Sequence, residues 1–276
     1  GHLDVVPPGN IKNWTINPFK PSVKNNHLIG RGANDMKSSV AAFISAVSTF
    51  LSKNEKFNGS ISLLITGDEE GDAINGTKKV VEYLKKRKEK INFCLVGEPT
   101  NPNKLGEMIK IGRRGSLTGA LTIIGHQGHV AYPSRANNPS TIIVNILKEL
   151  KEIKFDKGTN DFQPTNLEVT KININNTADN VIPATAEATF NIRFNNKHSS
   201  NSLKKRLNKI FKRITKKHKS KFKIEYRVSG EAFLTKPNKT TFMIMNIIKK
   251  ITKLKPKLST TGGTSDLRFI RKISPG

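Results

Sequence analysis

The 276-residue sequence predicts an α/β protein, in which a domain with a mostly parallel sheet carries an inserted ferredoxin-like α+β domain. Three observations predict this class. Short apolar segments alternate with helix-length segments over residues 1–112, as in sheets whose two faces are covered by helices. Residues 115–230 follow the order β-α-β-β-α-β, which is the ferredoxin-like arrangement. The segment from residue 231 on holds one more helix and a Gly-Gly loop.

Two helices and two strands are predicted in the first region. Apolar residues of helix length and spacing occur in Met36–Leu51 and in Gly76–Lys88. Short apolar runs at Ile61–Thr66 and Asn92–Val96 predict buried strands, because they are too short for helices. The second run contains Cys94, the single cysteine of the chain. We expect Cys94 to be a buried strand residue, since unpaired cysteines are among the most buried residue types.

The inserted domain is predicted from segments of period 2 and period 3.6. In chain order these are Leu117–Ile124, Pro139–Ile153, Leu167–Ile174, Thr185–Phe194, Leu203–Ile214 and Phe222–Val228. In the fourth segment apolar and polar residues alternate, so one face of that strand is expected in a core. We assign residues 115–230 to the inserted domain. Residues 1–114 and 231–276, with a helix at Thr240–Thr252, are assigned to the domain that it interrupts.

Composition and charge limit the classes of partner. Hydrophobic residues make up 35% of the chain and charged residues 25%, which is enough apolar material for a packed core. The formal net charge of +27 is a feature of nucleic-acid binders, but the lysines are spread along the chain. No RNP, zinc-finger or basic-zipper motif accompanies them, so we expect no specific nucleic acid. Since the chain has no apolar stretch of about 18 residues and no pair of cysteines, we also expect no membrane association and a cytoplasmic location.

Histidine and acidic residues stand at the ends of the apolar segments of the first region. They are His2 with Asp4, Asp35, the triplet Asp68–Glu70, and Glu98. Taken singly, they can be explained as a surface polar pair, a helix N-cap and a solvated loop. In open α/β sheets, however, ligands bind beyond the carboxyl ends of the strands, where all these side chains would converge. On an extended segment Asp4 faces the same side as His2 and can hydrogen-bond one imidazole nitrogen.

Such a group of one histidine and several carboxylates suits two zinc ions that share a carboxylate, with one more carboxylate left free as a base. Two ions about 3.5–4 Å apart polarise a carbonyl and activate a shared water together. The residues therefore indicate metal-assisted hydrolysis.

Sequence blocks of the chain resemble a known family, the co-catalytic zinc peptidases and deacylases of the M20 family. Four blocks carry this resemblance: residues 1–9, 30–37, 66–71 and 96–100. Five more blocks are most similar to the deacylases of the family that act on N-succinyl-diaminopimelate: residues 112–116, 125–133, 179–184, 233–237 and 261–266. The blocks occur in the family's order through nearly the whole chain.

The resemblance implies a role for each matching residue of the first region. His2 and Glu98 would hold one zinc ion, Glu70 the other, and Asp35 would bridge both. Two Zn²⁺ per subunit are expected, with Co²⁺ as an alternative in one site. Asp4 would orient His2. A cis peptide bond is also implied between Asp35 and the following residue.

The resemblance further implies the reacting and substrate-binding groups. Glu69 would be the general base, and His129 would cross to the partner subunit of a homodimer, formed through the inserted domain, to stabilise the oxyanion. Asn180 would bind the substrate, and Arg113 and Arg193 would bind its carboxylates. Backbone donors would come from Gly262, Gly263 and Thr264.

The implied activity is hydrolysis of the succinyl amide of N-succinyl-LL-2,6-diaminopimelate, in lysine biosynthesis. A related deacylase or peptidase, such as one acting on N-acetylornithine, is the alternative. One departure concerns the second zinc site, which in the family needs a histidine near the C-terminus that has no match up to residue 276. We therefore expect either that the chain is truncated at both ends, with this ligand beyond residue 276, or that it is a catalytically impaired homologue.

Overall fold

A computed structural model describes residues 1–274, which form two compact units. The first unit comprises Gly1–Ile109, Ile244–Pro256 and the segment from Ser265 on. The second unit comprises Lys110–Met243 and Lys257–Thr264. The predicted insertion, residues 115–230, lies inside the second unit. The last two residues of the predicted 231–276 segment lie outside the described residues.

The first unit contains a short antiparallel hairpin, several helices and part of a helix that continues from the second unit. Strands β1 (Ser22–Lys24) and β2 (His27–Ile29) form the hairpin. Helix α1 spans Ser38–Lys53, α2 spans Thr77–Lys86 and the short α6, which packs on α2, spans Leu267–Ile270. The two predicted helices are thus confirmed. The first begins at Ser38 rather than Met36, because Asp35 and Met36 have non-helical backbone angles and the peptide bond between them is cis.

The two strands predicted in the first unit are wrong, since Ile61–Thr66 and Asn92–Val96 run without a ladder. Thr66 alone forms a parallel bridge, with His2. Their apolar side chains lack the burial that drives strand pairing: Ile61 is 43% exposed and Leu95 62%. Cys94 is likewise only half-buried and lies outside any strand. The described part of this unit therefore has no extended parallel sheet.

The second unit is built on a four-stranded antiparallel sheet. Its long elements are β5 (Gly115–Ile124), α3 (Pro139–Glu152), β7 (Asn166–Asn173), β9 (Thr185–Phe194), α4 (Ser200–Lys217) and β10 (Lys221–Gly230). The strand order is β10-β5-β9-β7, and every neighbouring pair is antiparallel. All six elements match the predicted segments within a few residues, and this is the ferredoxin-like order.

One core joins the sheet to α3 and α4. On β9 the alternate residues Ala186 to Phe194 are buried and the residues between them are not, as the period-2 pattern predicts. Phe190 and Phe194 lie across the neighbouring strand from Gly119 and Gly115, where an added Cβ would come within 2.3 Å of a ring carbon. Glycine at both positions lets the rings lie flat on β5, so the core closes without strain.

The remaining strands are short, and one further helix lies near the end of the chain. They are β3 (Met108–Lys110), β4 (Gly112–Arg113), β6 (Gly128–His129), β8 (Val181–Ile182), β11 (Phe233–Leu234), α5 (Lys239–Thr252) and β12 (Lys257–Ser259). Strand β4 pairs with β11, and β6 pairs with β8. Helix α5 confirms the helix predicted from residue 240. None of the helices in residues 1–274 combines the length and the hydropathy that a membrane crossing requires.

Candidate active site

His2 is the buried centre of a cluster of carboxylates in the first unit. Its side chain is 1% exposed, and its segment runs parallel to residues 64–66, with Leu3 N–H donating to the Thr66 carbonyl at 2.9 Å. The ring nitrogen Nδ1 lies 3.0 Å from the backbone carbonyl oxygen of Asp4 and 3.4 Å from its carboxylate Oδ1. A carbonyl can only accept, so Nδ1 carries a proton, and Nε2 is the ring nitrogen that faces the carboxylates.

The Nε2 side of His2 faces the predicted ligands. Asp35 Oδ1 lies 3.1 Å from Nε2, and Glu98 Oε1 lies 3.9 Å from it. Ligand atoms of His2, Asp35 and Glu70 lie within 4.8 Å of one another, and so do those of His2, Glu69 and Glu98. The structure therefore brings together all four predicted metal ligands and the predicted base around one imidazole.

The residues fit a metal centre by their chemistry. Carboxylates that converge within 4.8 Å repel one another unless a cation or a shared proton compensates. In addition, Asp4 Oδ1 is buried and accepts no hydrogen bond from the described residues. It lies beside the His2 Nδ1 proton, which is the arrangement that orients a ligating histidine and raises its basicity.

The electrostatics of the cluster appear in its pKa values. Burial, with the nearby charges of Glu98 and Asp266, raises the pKa of Glu69 to about 7. Burial also raises the pKa of Glu70, helped by the charge of Asp35. Burial on its own lowers the pKa of His2, but the hydrogen bond to Asp4 and the surrounding carboxylates outweigh it and raise that pKa. Glu69 is thus a carboxylate poised between its charged and neutral forms near neutral pH.

Sequence reasoning missed Asp266 as a member of this cluster. Its side chain is buried, and Arg268 Nη2 lies 3.5 Å from its Oδ1. The charge of Asp266 contributes to the raised pKa of Glu69, and the charge of Arg268 opposes it. The only sequence signal was the place of Asp266 at the end of the Gly-Gly-Thr-Ser-Asp block.

In the second unit, Arg113 lies at a loop of predicted backbone donors. The buried Arg113 donates from Nη1 to the Thr261 carbonyl at 3.3 Å, and a Cβ on Gly262 would lie 2.9 Å from that nitrogen. Gly262 has a φ of 95°, a conformation that favours glycine. Lys110, which sequence reasoning missed, donates to Thr261 Oγ1 at 2.6 Å. Burial and then the charge of Arg113 lower the pKa of Lys110, so two cationic side chains lie close together beside the loop that contains Gly262.

His129 and Asn180 lie together at the β6–β8 pair. His129 is opposite Val181 in the ladder, and Val130 N–H donates to the Asn180 carbonyl at 3.0 Å. The His129 Nδ1 atom accepts from the Ala131 N–H at 3.0 Å. A neutral His129 therefore carries its proton on Nε2, which leaves an exposed side chain with one outward N–H donor.

Arg193 belongs to a different group of the second unit. It lies on the polar face of β9, opposite Ser116 and Asn166 in the ladders. Burial lowers the pKa of Arg193, and its charge lowers that of Arg114 after burial. Arg114 in turn donates to Asn166 Oδ1 at 2.8 Å. The charge of Arg193 is thus close enough to Arg114 to lower its pKa.

The model of Peptidase family M20/M25/M40 matches residues 1–276, and the chain belongs to this family of hydrolases. M20 enzymes are metallopeptidases and related hydrolases, so the chain is an enzyme of a metal-dependent class, in agreement with the carboxylate cluster around His2.

Among curated relatives, the succinyl-diaminopimelate desuccinylase of Pelagibacter ubique (strain HTCC1062) is 79% identical over 275 residues, which cover 100% of this chain and 72% of the relative. The succinyl-diaminopimelate desuccinylase of Parvibaculum lavamentivorans is 51% identical, and the match covers 100% of this chain and 69% of the relative. Among solved structures, the M20 metallo-carboxypeptidase Sso-CP2 of Sulfolobus solfataricus has a TM-score of 0.75 at 19% sequence identity, and the match covers 99% of this chain and 73% of Sso-CP2. The aminopeptidase PepT of Bacillus cereus has a TM-score of 0.72 at 18% sequence identity, and the match covers 98% of this chain and 68% of PepT. These structures confirm the α/β fold class.

Proposed function

We propose that the chain hydrolyses N-succinyl-LL-2,6-diaminopimelate to succinate and LL-2,6-diaminopimelate, a step of lysine biosynthesis, as a zinc-dependent homodimer in the cytoplasm. The observation that carries the proposal is the 79% identity, over the full chain, to a succinyl-diaminopimelate desuccinylase. The carboxylate cluster around His2 supplies the chemistry that an amide hydrolase of this kind needs.

In this proposal His2 and Glu98 would hold one zinc ion, Glu70 would hold the other, and Asp35 would serve both. The close approach of Asp35 to His2, at 3.1 Å, supports the shared role. Bound zinc polarises the substrate carbonyl and makes a water molecule more acidic. Co²⁺ is an alternative occupant of one site, because it accepts the same nitrogen and oxygen ligands.

Glu69 acts as the general base. It takes a proton from the attacking water and then gives a proton to the leaving amine. Its half-buried position and its pKa of about 7 support this role, since a base that works near neutral pH must both accept and release a proton there. Asp4 keeps the His2 proton on Nδ1, so that Nε2 remains available to the ion.

The second unit supplies the groups that bind substrate. The guanidinium groups of Arg113 and Arg193 take the carboxylates of the substrate, for which the planar fork of arginine is suited. Lys110 adds a cation beside Arg113, while Asn180 and the N–H groups of the loop supply further polar contacts. The backbone donors of that loop are those of Gly262, Gly263 and Thr264. An N-succinyl substrate carries one carboxylate more than an N-acetyl substrate, which explains the need for several cations.

Homodimerisation through the second unit brings His129 to the partner's active site. Strand β7 lies at an edge of the sheet, with Ile172 59% exposed, and Val144 on α3 is 61% exposed. An open strand edge beside exposed apolar side chains favours pairing with another copy. The outward Nε2–H of His129 is then a donor for the negative oxygen that forms at the reacting carbonyl.

The test measures zinc content of the purified chain together with its turnover of N-succinyl-diaminopimelate and of N-acetylornithine. The proposal predicts bound zinc and a kcat/KM for the succinyl substrate well above that for the acetyl substrate. Preference for N-acetylornithine would instead assign the chain to the related deacetylases. Zinc binding without turnover of either substrate would identify a catalytically impaired homologue.

A further inference from the structure

Glu69 and Glu70 lie on a loop that has no regular secondary structure to hold it. Residues 67–76 form neither helix nor strand, although Glu69 and Glu70 on this loop must point toward His2. Ligand atoms of Glu69 and Glu98, and those of Glu70 and Asp35, lie within 4.8 Å of one another, so repulsion between these carboxylates acts to turn Glu69 and Glu70 outward. Something else in the loop has to oppose this repulsion.

Asp68, the first acid of the triplet, binds the other end of its own loop. Its Oδ2 accepts from the N–H groups of Ile74 and Asn75, both at 2.7 Å, and its Oδ1 accepts from the Ala73 N–H at 3.2 Å. Three consecutive N–H groups therefore converge on one carboxylate, a concave arrangement that binds anions. Ala73 has a φ of 54°, which turns its N–H into this group.

The carboxylate of Asp68 is also in close contact with the loop. A Cβ on Gly71 would lie 2.7 Å from Asp68 Oδ1, so glycine at this position leaves room for the carboxylate. On the other side of the acids, the Glu70 N–H donates to Asp4 Oδ2 at 2.9 Å. Asp4 thus binds the peptide between Glu69 and Glu70, while Asp68 binds the far end of the loop at residues 73–75.

We propose that Asp68 is a positioning residue for the metal centre: it binds no ion itself, but it closes residues 68–75 so that Glu69 and Glu70 face His2. Among the described residues, the two groups of converging ligand atoms include Glu69 and Glu70, which follow Asp68, and leave Asp68 out. Both of its oxygens are already occupied by backbone donors. This inference rests on the proposed metal-dependent function, since it concerns the residues that would hold and use the ions.

The test compares Asp68→Asn and Asp68→Ala with the unaltered chain by titration with Co²⁺. The metal's visible absorption reports ligand geometry, and calorimetry gives the affinity of each bound ion. Asp68→Asn keeps one acceptor oxygen but turns an NH₂ group toward backbone donors, and Asp68→Ala removes all three hydrogen bonds. We expect a changed spectrum and a loss of about 10–100-fold in affinity for the ion that Glu70 binds, the range typical of residues that support metal ligands. A lower kcat with little change in KM should accompany it.

Glu107→Gln is the matched control. Glu107 also caps a loop of the first unit, accepting from the N–H groups of Asn103 and Lys104, and it lies outside both candidate ligand sets. Its substitution should leave the Co²⁺ spectrum and affinity unchanged. Circular dichroism checks the folding of each variant. If Asp68→Ala does not fold, the comparison of Asp68→Asn with the unaltered chain tests the positioning role.

A Co²⁺ spectrum and affinity equal to those of the unaltered chain in a folded Asp68→Asn variant would overturn the inference. The titration needs no turnover, so its result is independent of the substrate. A chain that binds Co²⁺ normally but does not hydrolyse N-succinyl-diaminopimelate contradicts the proposed function, and the comparison of Asp68 variants still decides the positioning role.

Discussion

Glu69 is the residue on which the proposed chemistry depends most directly. Glu69→Gln keeps the size of the side chain and removes its ability to accept a proton. We expect kcat to fall by about 10²–10⁴-fold, the usual contribution of a positioned acid–base group. Metal content should not fall, because the proposal assigns Glu69 the role of base and leaves the ions to His2, Asp35, Glu70 and Glu98. Steady-state kinetics and metal analysis check this, and a variant that retains a tenth of the normal kcat would show that another group is the base.

The pH dependence of the reaction has a definite sign. Glu69 works as a base only when it is deprotonated, so kcat/KM should fall as the pH drops through its pKa. Burial and neighbouring carboxylates raise that pKa to about 7, and a bound cation lowers it by favouring the charged form. We therefore expect an acid limb with its midpoint at or below about pH 7. A pH profile that is flat, or that falls with rising pH in this range, contradicts the assignment.

Asp156 connects elements of the second unit. Its Oδ1 accepts from Gly158 N–H and from Asn195 Nδ2, both at 2.6 Å, and its Oδ2 lies 3.1 Å from His198 Nε2. These contacts join the loop after α3 to the segment that leads from β9 into α4. Asp156→Asn replaces a charged acceptor by a neutral one in this network. We expect a loss of about 1.5–3 kcal/mol in the free energy of unfolding, measured with urea, because hydrogen bonds to charged groups contribute about this much.

Glu168→Gln is the control for Asp156, since Glu168 forms an exposed ion pair with Lys151 that should contribute under about 1 kcal/mol. The pH dependence is a second check. Burial alone raises the pKa of Asp156, but hydrogen bonds from Thr165, Gly158 and Asn195 lower it to about 2. The folded-state pKa lies below the unfolded value of about 3.9, so this stabilisation is present above pH 4 and is lost as the pH falls toward 2. If the free energy of unfolding of the Asp156→Asn variant falls between pH 4 and pH 2 as much as that of the unaltered chain, this role of Asp156 is contradicted.

The elements of the second unit were predictable because each carries its own pattern. Strand β9 alternates apolar and polar residues along its whole length, and α4 repeats Leu203, Leu207 and Phe211 on one buried stripe. In the first unit the runs at Ile61–Thr66 and Asn92–Val96 had strand-like composition but form no ladder. A ladder needs paired neighbours, which composition does not reveal.

At the scale of the whole molecule, the proposed dimer is open to direct measurement. Ile172→Lys puts a charge on the exposed edge strand β7, a change that opposes edge-to-edge pairing. We expect the variant to elute as a monomer in size-exclusion chromatography with light scattering, where the unaltered chain elutes as a dimer. Turnover should fall with it, because His129 would no longer reach a partner's site. Lys171→Glu, on the same strand, tests whether a change of charge alone has this effect. If the Ile172→Lys variant remains a dimer, the dimer interface does not include the edge of β7.

The sequence by itself determined the family, the helices and strands of the ferredoxin-like unit, and the identity of the ligand and base candidates. These depend on local patterns and on contiguous blocks, so a single reading of the chain contains them. Only the tertiary structure decided that the backbone carbonyl of Asp4 holds the His2 ring, that Asp266 lies beside Glu69, that Lys110 joins Arg113, and that Asp68 closes its own loop. Contacts of this kind depend on how segments up to 197 residues apart, as between Glu69 and Asp266, come together through burial. The burial of apolar side chains is non-directional. The polar groups that it brings into contact therefore carry no motif in the sequence that would reveal the contact.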